Sequence, residues 1–423
     1  MQPRTPHHAL EAWLAHQEAQ GLRRVVVPSL DVLRQDSPHD FASNDYLSFA
    51  RMGVDAPDES VTSYYYGAGS ARLVVGTHQA VLALEERIAE WKGTEASVIF
   101  PTGFQANISA IPALVYPHVA GMPSKEVWFF SDKLCHASLN EGCRLATLEG
   151  ALWKRYRHND LIHLERMLQH ATQETRTRGV QHPLFWIVTE SVFSMDGDTA
   201  PLEALCELAD RYGALMYLDE AHATGVMGTH GQGLAHVLHC NRFQCLAHGI
   251  HMGTFSKALG CVGGYVTGSK LLMALMWQRA KGLIYTTALP PRLITHLHHV
   301  LDRLQAQPSK PTPSEVFQAQ LKHFLSLWEP FRKSSPTHQG YFIPESWFHA
   351  QAPHCYTPIV PLYAPDIATL LHDKARLEEA GFLVGAIRPP TVPHGTQRLR
   401  ISLHTHNTYE ALEALLAHLI RQG

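Results

Sequence analysis

Two periods of apolar residues alternate along the chain. Val81, Leu84, Ile88 and Trp91 recur at helical spacing and predict an amphipathic helix over residues 78–92. The run Ala96–Phe100 then reads as a strand, and the turn Pro101-Thr102-Gly103-Phe104 opens another helix. Strands follow at 127–130, at 184–189, where β-branched and aromatic side chains dominate, and at 215–219, the last behind a helix over 201–212. Such alternation predicts a mostly parallel, doubly wound α/β sheet. Its ligand-binding groups belong just beyond the carboxyl ends of the strands. Residues 264–267 read as an antiparallel closing strand.

The two ends carry a different pattern. Leu10, Trp13, Leu14 and Leu22 keep near-helical spacing over residues 8–24, which close on Gly21 and Arg23-Arg24. After a helix over 292–304, the extended, proline-rich stretch Gln307-Pro-Ser-Lys-Pro-Thr-Pro313 marks the start of a smaller unit. That unit reads as a strand (356–362), a helix (366–380), two strands (382–387 and 399–403) and a helix (408–421), a small α+β cap. The expected division is an N-terminal helix and arm over 1–44, a large α/β domain over 45–290 and a small α+β domain over 291–423.

Composition narrows the function classes. A hydrophobic content of 45% supports a large core, and 35 Lys and Arg against 38 Asp and Glu leave no basic excess for nucleic acid. Seven cysteines without paired metal spacing fit a reducing compartment. No apolar run approaches a membrane span, so a soluble cytoplasmic protein is expected. The 29 histidines include His7-His8, His296 with His298-His299, and His404 with His406. None has cysteine or carboxylate partners at zinc-site spacing, so they read as solvated helix and loop histidines and no metal site is expected. Gly67-Ala-Gly-Ser-Ala-Arg-Leu-Val-Val-Gly76 lacks both the dinucleotide spacing and the phosphate-loop lysine.

Candidate chemistry gathers on two stretches. In His251-Met-Gly-Thr254-Phe-Ser256-Lys257-Ala-Leu-Gly260 the lysine has small, apolar or hydroxylic neighbours. Burial favours its neutral amine, which condenses with a carbonyl, while Thr254 and Ser256 offer hydroxyls to a phosphate. In Ala214-Leu-Met-Tyr-Leu-Asp219-Glu-Ala-His222 a carboxylate ends a strand, placed to hold a pyridine nitrogen protonated, and His222 is placed to reach a ring hydroxyl. Together they suggest pyridoxal 5'-phosphate (PLP).

With Ser43-Asn-Asp-Tyr-Leu47, Thr102-Gly-Phe-Gln-Ala-Asn107, His136-Ala-Ser138 and Thr189-Glu-Ser-Val-Phe-Ser-Met-Asp-Gly197, the chain resembles the α-oxoamine synthases, fold-type I PLP-dependent transferases. The resemblance implies that Lys257 carries the cofactor and moves the substrate's Cα proton, that Asp219 and His222 serve the ring, and that His136 stacks on it. It gives Gly103 and Phe104 to the phosphate cradle, through backbone amides, with the Phe104 ring placed by packing. It gives Ser194 and Thr254 to the cofactor and Glu190 to its surroundings. It implies a homodimer with shared active sites, in which Thr286 or Thr287 meets the partner's phosphate.

Substrate contacts implied by the resemblance are Arg23, Asn44, His136, Arg388 and Thr391. Arg388, in Arg388-Pro-Pro-Thr391, is the residue matched to the amino acid's α-carboxylate. That motif points to the branch that condenses L-alanine with a pimeloyl thioester, carried by coenzyme A or acyl carrier protein, in biotin biosynthesis. Glycine-using synthases and α-aminoketone signal synthases share the chemistry. The chain departs from the family at Val75, where serine is expected, and at Ser256, where glycine is expected. Segments near 117–126 and 236–249 are expanded.

Overall fold

The computed structural model describes residues 6–23, 38–51, 67–116, 125–306, 311–334, 340–344, 347 and 356–420. Two sheets organise it. The larger has seven strands in the order β2-β8-β7-β6-β5-β3-β4: β2 (Ala96–Phe100), β3 (Lys125–Asp132), β4 (Leu152–Tyr156), β5 (His182–Glu190), β6 (Leu215–Asp219), β7 (Ile250–Thr254) and β8 (Gly264–Gly268). Strands β3 to β7 pair in parallel, as the alternation predicts. Strand β8 is antiparallel to both β7 and β2, so the expected closing strand lies inside the sheet and β2 forms the edge.

Side chains along these strands alternate between two cores. Phe185 and Ile187 of β5 and Met216 and Leu218 of β6 face one cluster. Trp186, Val188 and Tyr217 face the other, under the helices Gly103–Ala113 and Ala137–Leu148. Burial on both faces is what makes these strands read as continuous apolar runs. At one rim the strands end in Asp132, Glu190, Asp219 and Thr254, four polar residues that are all buried.

The smaller sheet has the order β1-β10-β11-β9: β1 (Asp40–Phe41), β9 (Ile359–Tyr363), β10 (Leu383–Ile387) and β11 (Arg398–Ser402). Strand β1 pairs in parallel with β10, Asp40 opposite Leu383, so residues ahead of the large sheet complete the C-terminal one. The helix that begins at Pro313 runs to Ser334, and Phe317, Leu321, Phe324 and Trp328 form its buried stripe. The prolines at 311 and 313 thus lead into a helix, with Pro313 at the start, where its fixed φ suits the first turn. Residues 307–310, 117–124 and Arg24 lie outside the described residues.

The small sheet grips the loop after β5. Arg398 Nη1 donates to Met195 O (3.1 Å) and to Asp196 Oδ1 (2.5 Å), and Arg400 Nε donates to Ser194 O (2.6 Å). Thr357 Oγ1 donates to Gly197 O (2.6 Å). Gly197 sits at φ +69°, and a Cβ there would run into the backbone carbonyl of Ile359, so only glycine fits this contact. From below, His158 bridges Asp132 (3.0 Å) and Asp198 (2.7 Å) while lying edge-on against Phe193, 4.5 Å between centroids.

No helix of the described residues is long and apolar enough to cross a membrane.

Candidate active site

The strand ends and the turns beyond them bring the predicted residues together. Asp219 ends β6 opposite Glu190 of β5. Its Oδ1 accepts from Ala221 N (2.9 Å), and its Oδ2 accepts from Asn107 Nδ2 (2.8 Å). Asn107 comes from the helix Gly103–Ala113. Its second amide hydrogen goes to Ser138 Oγ (2.9 Å), and its Oδ1 accepts from Tyr217 OH (2.8 Å). Burial, with Asp219 and Cys143 nearby, pushes the Tyr217 phenol well above its usual range, so it stays a donor.

His136 caps the helix Ala137–Leu148. Its Nδ1 accepts from Ser138 N (3.2 Å) and lies 2.7 Å from Ser138 Oγ. Burial lowers its pKa, with Lys257 adding to the effect and Asp219 opposing it. A neutral ring with Nδ1 accepting carries its proton on Nε2. Glu190 Oε1 accepts from His136 N (2.5 Å), and burial beside Asp219 pushes that carboxyl well above the usual range.

Lys257 lies in the turn after β7. Burial, with Arg400 nearby, lowers its amine from 10.5 to about 8 against the pull of Asp219 and Glu190. Its Nζ makes no hydrogen bond to the described residues. Thr254 Oγ1 donates to Gly263 O (2.9 Å) and lies 2.8 Å from Ser256 Oγ.

These residues fit pyridoxal phosphate. A buried amine whose pKa is drawn down towards neutrality suits its aldehyde, and a strand-end carboxylate suits its ring nitrogen. At Gly103 a Cβ would meet Met252 Cε at 2.9 Å and Thr254 Oγ1 at 3.1 Å. Glycine there lets the amide-rich start of an eleven-residue helix close directly on the Thr254 hydroxyl, a cradle for phosphate. Phe104 departs from the expectation. It is half exposed, not packed, and meets His136 edge-on at 6.5 Å.

His222 is held by Tyr46. Tyr46 OH lies 2.8 Å from His222 Nδ1, donates to Asn44 Oδ1 (3.1 Å) and accepts from Arg400 Nη2 (3.2 Å). Burial and the positive fields of Lys257 and Arg400 push His222 well below its ordinary pKa. Sequence reasoning did not single out Tyr46, Asn107, Ser138, Tyr217 or Arg400 as site residues. Four of them lie inside the motifs that carry the resemblance. The signal for Arg400 was a cation inside an apolar strand.

The remaining predicted residues have other partners. Arg388 Nε donates to Gly21 O (2.6 Å) and Nη2 to Arg23 O (3.1 Å), so this guanidinium ties down the N-terminal segment. Arg23 itself pairs with Glu18 on the surface. Thr391 N donates to Arg388 O (3.1 Å), and Thr286 Oγ1 accepts from Gln105 Nε2 (2.7 Å). Thr287 bridges Ala71. His404 is buried, not solvated as expected. Its ring nitrogens meet Ser43 Oγ and Asp40 O, both at 2.8 Å. Among the described residues no group of three His, Cys, Asp or Glu is set to hold a metal ion.

A family model described as aminotransferase class I and II matches residues 38–419. A Geobacillus kaustophilus protein, provisionally named 8-amino-7-oxononanoate synthase, is 37% identical over 411 residues, covering 96% of this chain and 94% of its own. A Bordetella bronchiseptica protein of the same provisional name is 39% identical, with the same coverage of both chains. Among solved structures, a Sphingomonas wittichii serine palmitoyltransferase is 24% identical with a TM-score of 0.76, covering 99% of this chain and 98% of that one. The 8-amino-7-oxononanoate synthase of Francisella tularensis is 23% identical with a TM-score of 0.67, covering 92% and 98%. Both structures share the fold.

Proposed function

The chain belongs to the α-oxoamine synthases, PLP-dependent acyltransferases within the class I and II aminotransferase family, and on that footing we propose that it is an 8-amino-7-oxononanoate synthase acting in the cytoplasm. It joins L-alanine to a pimeloyl thioester and releases carbon dioxide and the free thiol. The observation that carries the substrate choice is the pair of relatives at 37% and 39% identity over nearly the whole chain, in which the provisional name recurs. The Arg388-Pro-Pro-Thr391 motif supports it.

Pyridoxal phosphate, when bound, supplies an electron sink for the pair left on the amino acid's Cα. The chain supplies the rest. Lys257 Nζ, with its pKa near 8, is basic enough to take the Cα proton and acidic enough to return it. Asp219, turned by Asn107 and by Ala221 N–H, holds a proton at the ring nitrogen. His136 offers a neutral ring for stacking, Thr254 and the amides of Gly103 and Phe104 would hold the phosphate, and Ser194 would serve the cofactor.

Two arginines compete for the α-carboxylate. The motif points to Arg388. The geometry supports Arg400, the buried cation whose field reaches Lys257 and His222 while it donates to Ser194 O, Ser402 Oγ and Tyr46 OH. Arg388 donates to main-chain carbonyls of the N-terminal segment and is not among the charges that shift either group. We therefore assign the carboxylate to Arg400, and Arg388 to the packing of that segment.

Thiol release from a panel of acyl thioesters, on coenzyme A and on acyl carrier protein, crossed with alanine, glycine and serine, tests the proposal. The highest kcat/KM is expected for the pimeloyl chain with alanine. A preference for an acetyl group with glycine, or a long chain with serine, overturns it. Within the same assay Arg400→Ala is expected to lose about thirty-fold to several thousand-fold in kcat/KM for alanine, the range for truncating a desolvated charge pair. Arg388→Ala is expected to lose less.

A further inference from the structure

An arginine that receives a carboxylate must be aimed as well as charged. Arg400 is buried, and three of its five N–H groups are spent on the chain. Its Nε donates to Ser194 O (2.6 Å), its Nη1 to Ser402 Oγ (2.6 Å) and its Nη2 to Tyr46 OH (3.2 Å). One N–H on each Nη remains, the pair of prongs that a carboxylate takes together. Arg398 lies two residues earlier on β11, on the same face. It stands opposite Tyr363 of β9, with its guanidinium 4.0 Å from the ring centroid. Its Nη1 donates to Met195 O (3.1 Å) and to Asp196 Oδ1 (2.5 Å), and Tyr363 OH donates to the same carboxylate oxygen (2.9 Å). The two arginines thus take adjacent carbonyls of the loop after β5, and Asp196 closes the contact with a charge. The side chains of that ion pair are 3% and 21% exposed, so salt screens it weakly. Asp196, Arg398 and Tyr363 take no part in the chemistry described above.

We infer that Asp196 and Arg398 are positioning residues. Their ion pair, flanked by Tyr363, pins β11 to the loop after β5 and so fixes where Arg400 presents its two remaining N–H groups to the amino acid. Their effect on substrate passes through Arg400, on the carboxylate assignment made above. The acyl group plays no part in it, and neither does the amino acid's side chain, because every α-amino acid brings the same carboxylate.

Titrating the full-length, cofactor-loaded protein with L-alanine, glycine and L-serine, without any thioester, reads amino-acid affinity from the cofactor's absorbance. Titrating the stripped protein with pyridoxal phosphate reads cofactor affinity. Asp196→Ala is expected to weaken amino-acid binding about tenfold, within the range of couplings inside one hydrogen-bonded network, with a smaller loss of cofactor affinity. Asp196→Asn keeps an acceptor for Arg398 and Tyr363, so a smaller loss of the same kind is expected, and it carries the test if Asp196→Ala does not fold. Asp196→Ala added to Arg400→Ala is expected to weaken amino-acid binding little further, because its route to the substrate is already gone. Wild-type amino-acid affinity in the folded Asp196 variants, beside a weakened Arg400→Ala, overturns the positioning role alone. So does an equal loss of amino-acid and cofactor affinity, or a fully additive loss in the double variant, since either makes the pair a general support of the loop. An Arg400→Ala chain that binds amino acids like the wild type overturns the carboxylate assignment, and the positioning role with it. Failure of the substrate panel above, with these titrations as expected, falls on the proposed substrates alone.

Discussion

Asn107 commits every polar atom it has to the site. Its amide hydrogens go to Asp219 and Ser138, and its carbonyl takes the Tyr217 proton. Replacement by alanine leaves a strand-end carboxylate without one of its two donors and a buried phenol without its acceptor. A hydrogen bond to a charged group contributes about 1.5–3 kcal/mol, so cofactor affinity in Asn107→Ala is expected to drop about tenfold or more, read by titrating the stripped protein with pyridoxal phosphate. An unchanged affinity would mean that Asp219 holds its orientation through Ala221 N–H alone. At this scale the sequence was legible where chemistry is carried by residue type. A lysine among hydroxyls and a carboxylate closing an apolar strand both announce themselves. Tyr46 and Arg400 do not, because their importance lies in meeting each other across 354 positions of chain.

Among the elements, the loop after β5 shows how charge is used to hold a cofactor-side segment. His158 sits between Asp132 and Asp198, and although burial opposes its charge, the two carboxylates raise it from 6.5 to about 10. A folded-state pKa above the unfolded value means stability that is fully present below about 6.5 and is lost as pH climbs through about 10. Burial also raises the Asp198 carboxyl despite His158, so part of the gain is offset. His158→Gln is expected to lower stability by about 2–3 kcal/mol near neutrality, the scale of hydrogen bonds to charged groups. The gap to the wild type is expected to narrow as pH approaches 10, read from denaturant midpoints at several pH values. A gap that stays constant with pH would show that the imidazolium charge is not what stabilises the loop. Five of the seven strands of the large sheet were readable, helped by the unbroken apolar runs that two-sided burial writes, whereas β4 and β7 were passed over. The 22-residue helix Pro313–Ser334 was passed over, although Phe317, Leu321, Phe324 and Trp328 repeat at helical spacing. The prolines just ahead of it drew attention to the boundary and away from the period.

For the whole molecule, one apolar surface stands open to solvent. Leu73, Val74 and Val75 are exposed at 54%, 72% and 79%, and Tyr285 at 78%. They belong to segments tied together by the Ala71–Thr287 bridge and by Ala288 N donating to Ser70 O (3.1 Å). An apolar patch this open, beside Thr286 and Thr287, supports the homodimer with shared sites that the resemblance implies. Mixing an inactive Lys257→Ala chain with an inactive chain altered at both Thr286 and Thr287 is expected to restore part of the activity, since one hybrid site is then intact. No recovery after subunit exchange, verified by mass, would count against sharing.

The division of labour between the two sheets has a consequence for how the protein is made. Asn44 and Tyr46 leave the ribosome before His222, and Arg400 follows His222 by 178 residues (400 less 222). β1 must wait for β10 to find its partner, and Tyr46 must wait for Arg400. A nascent chain can therefore assemble its large sheet, with Lys257 and Asp219 already in place, and still lack the groups that seat His222 and clasp Ser194. Translation that stops before residue 398 would release a product with the reactive lysine and no working site around it. Its competence is decided only once β11 has emerged.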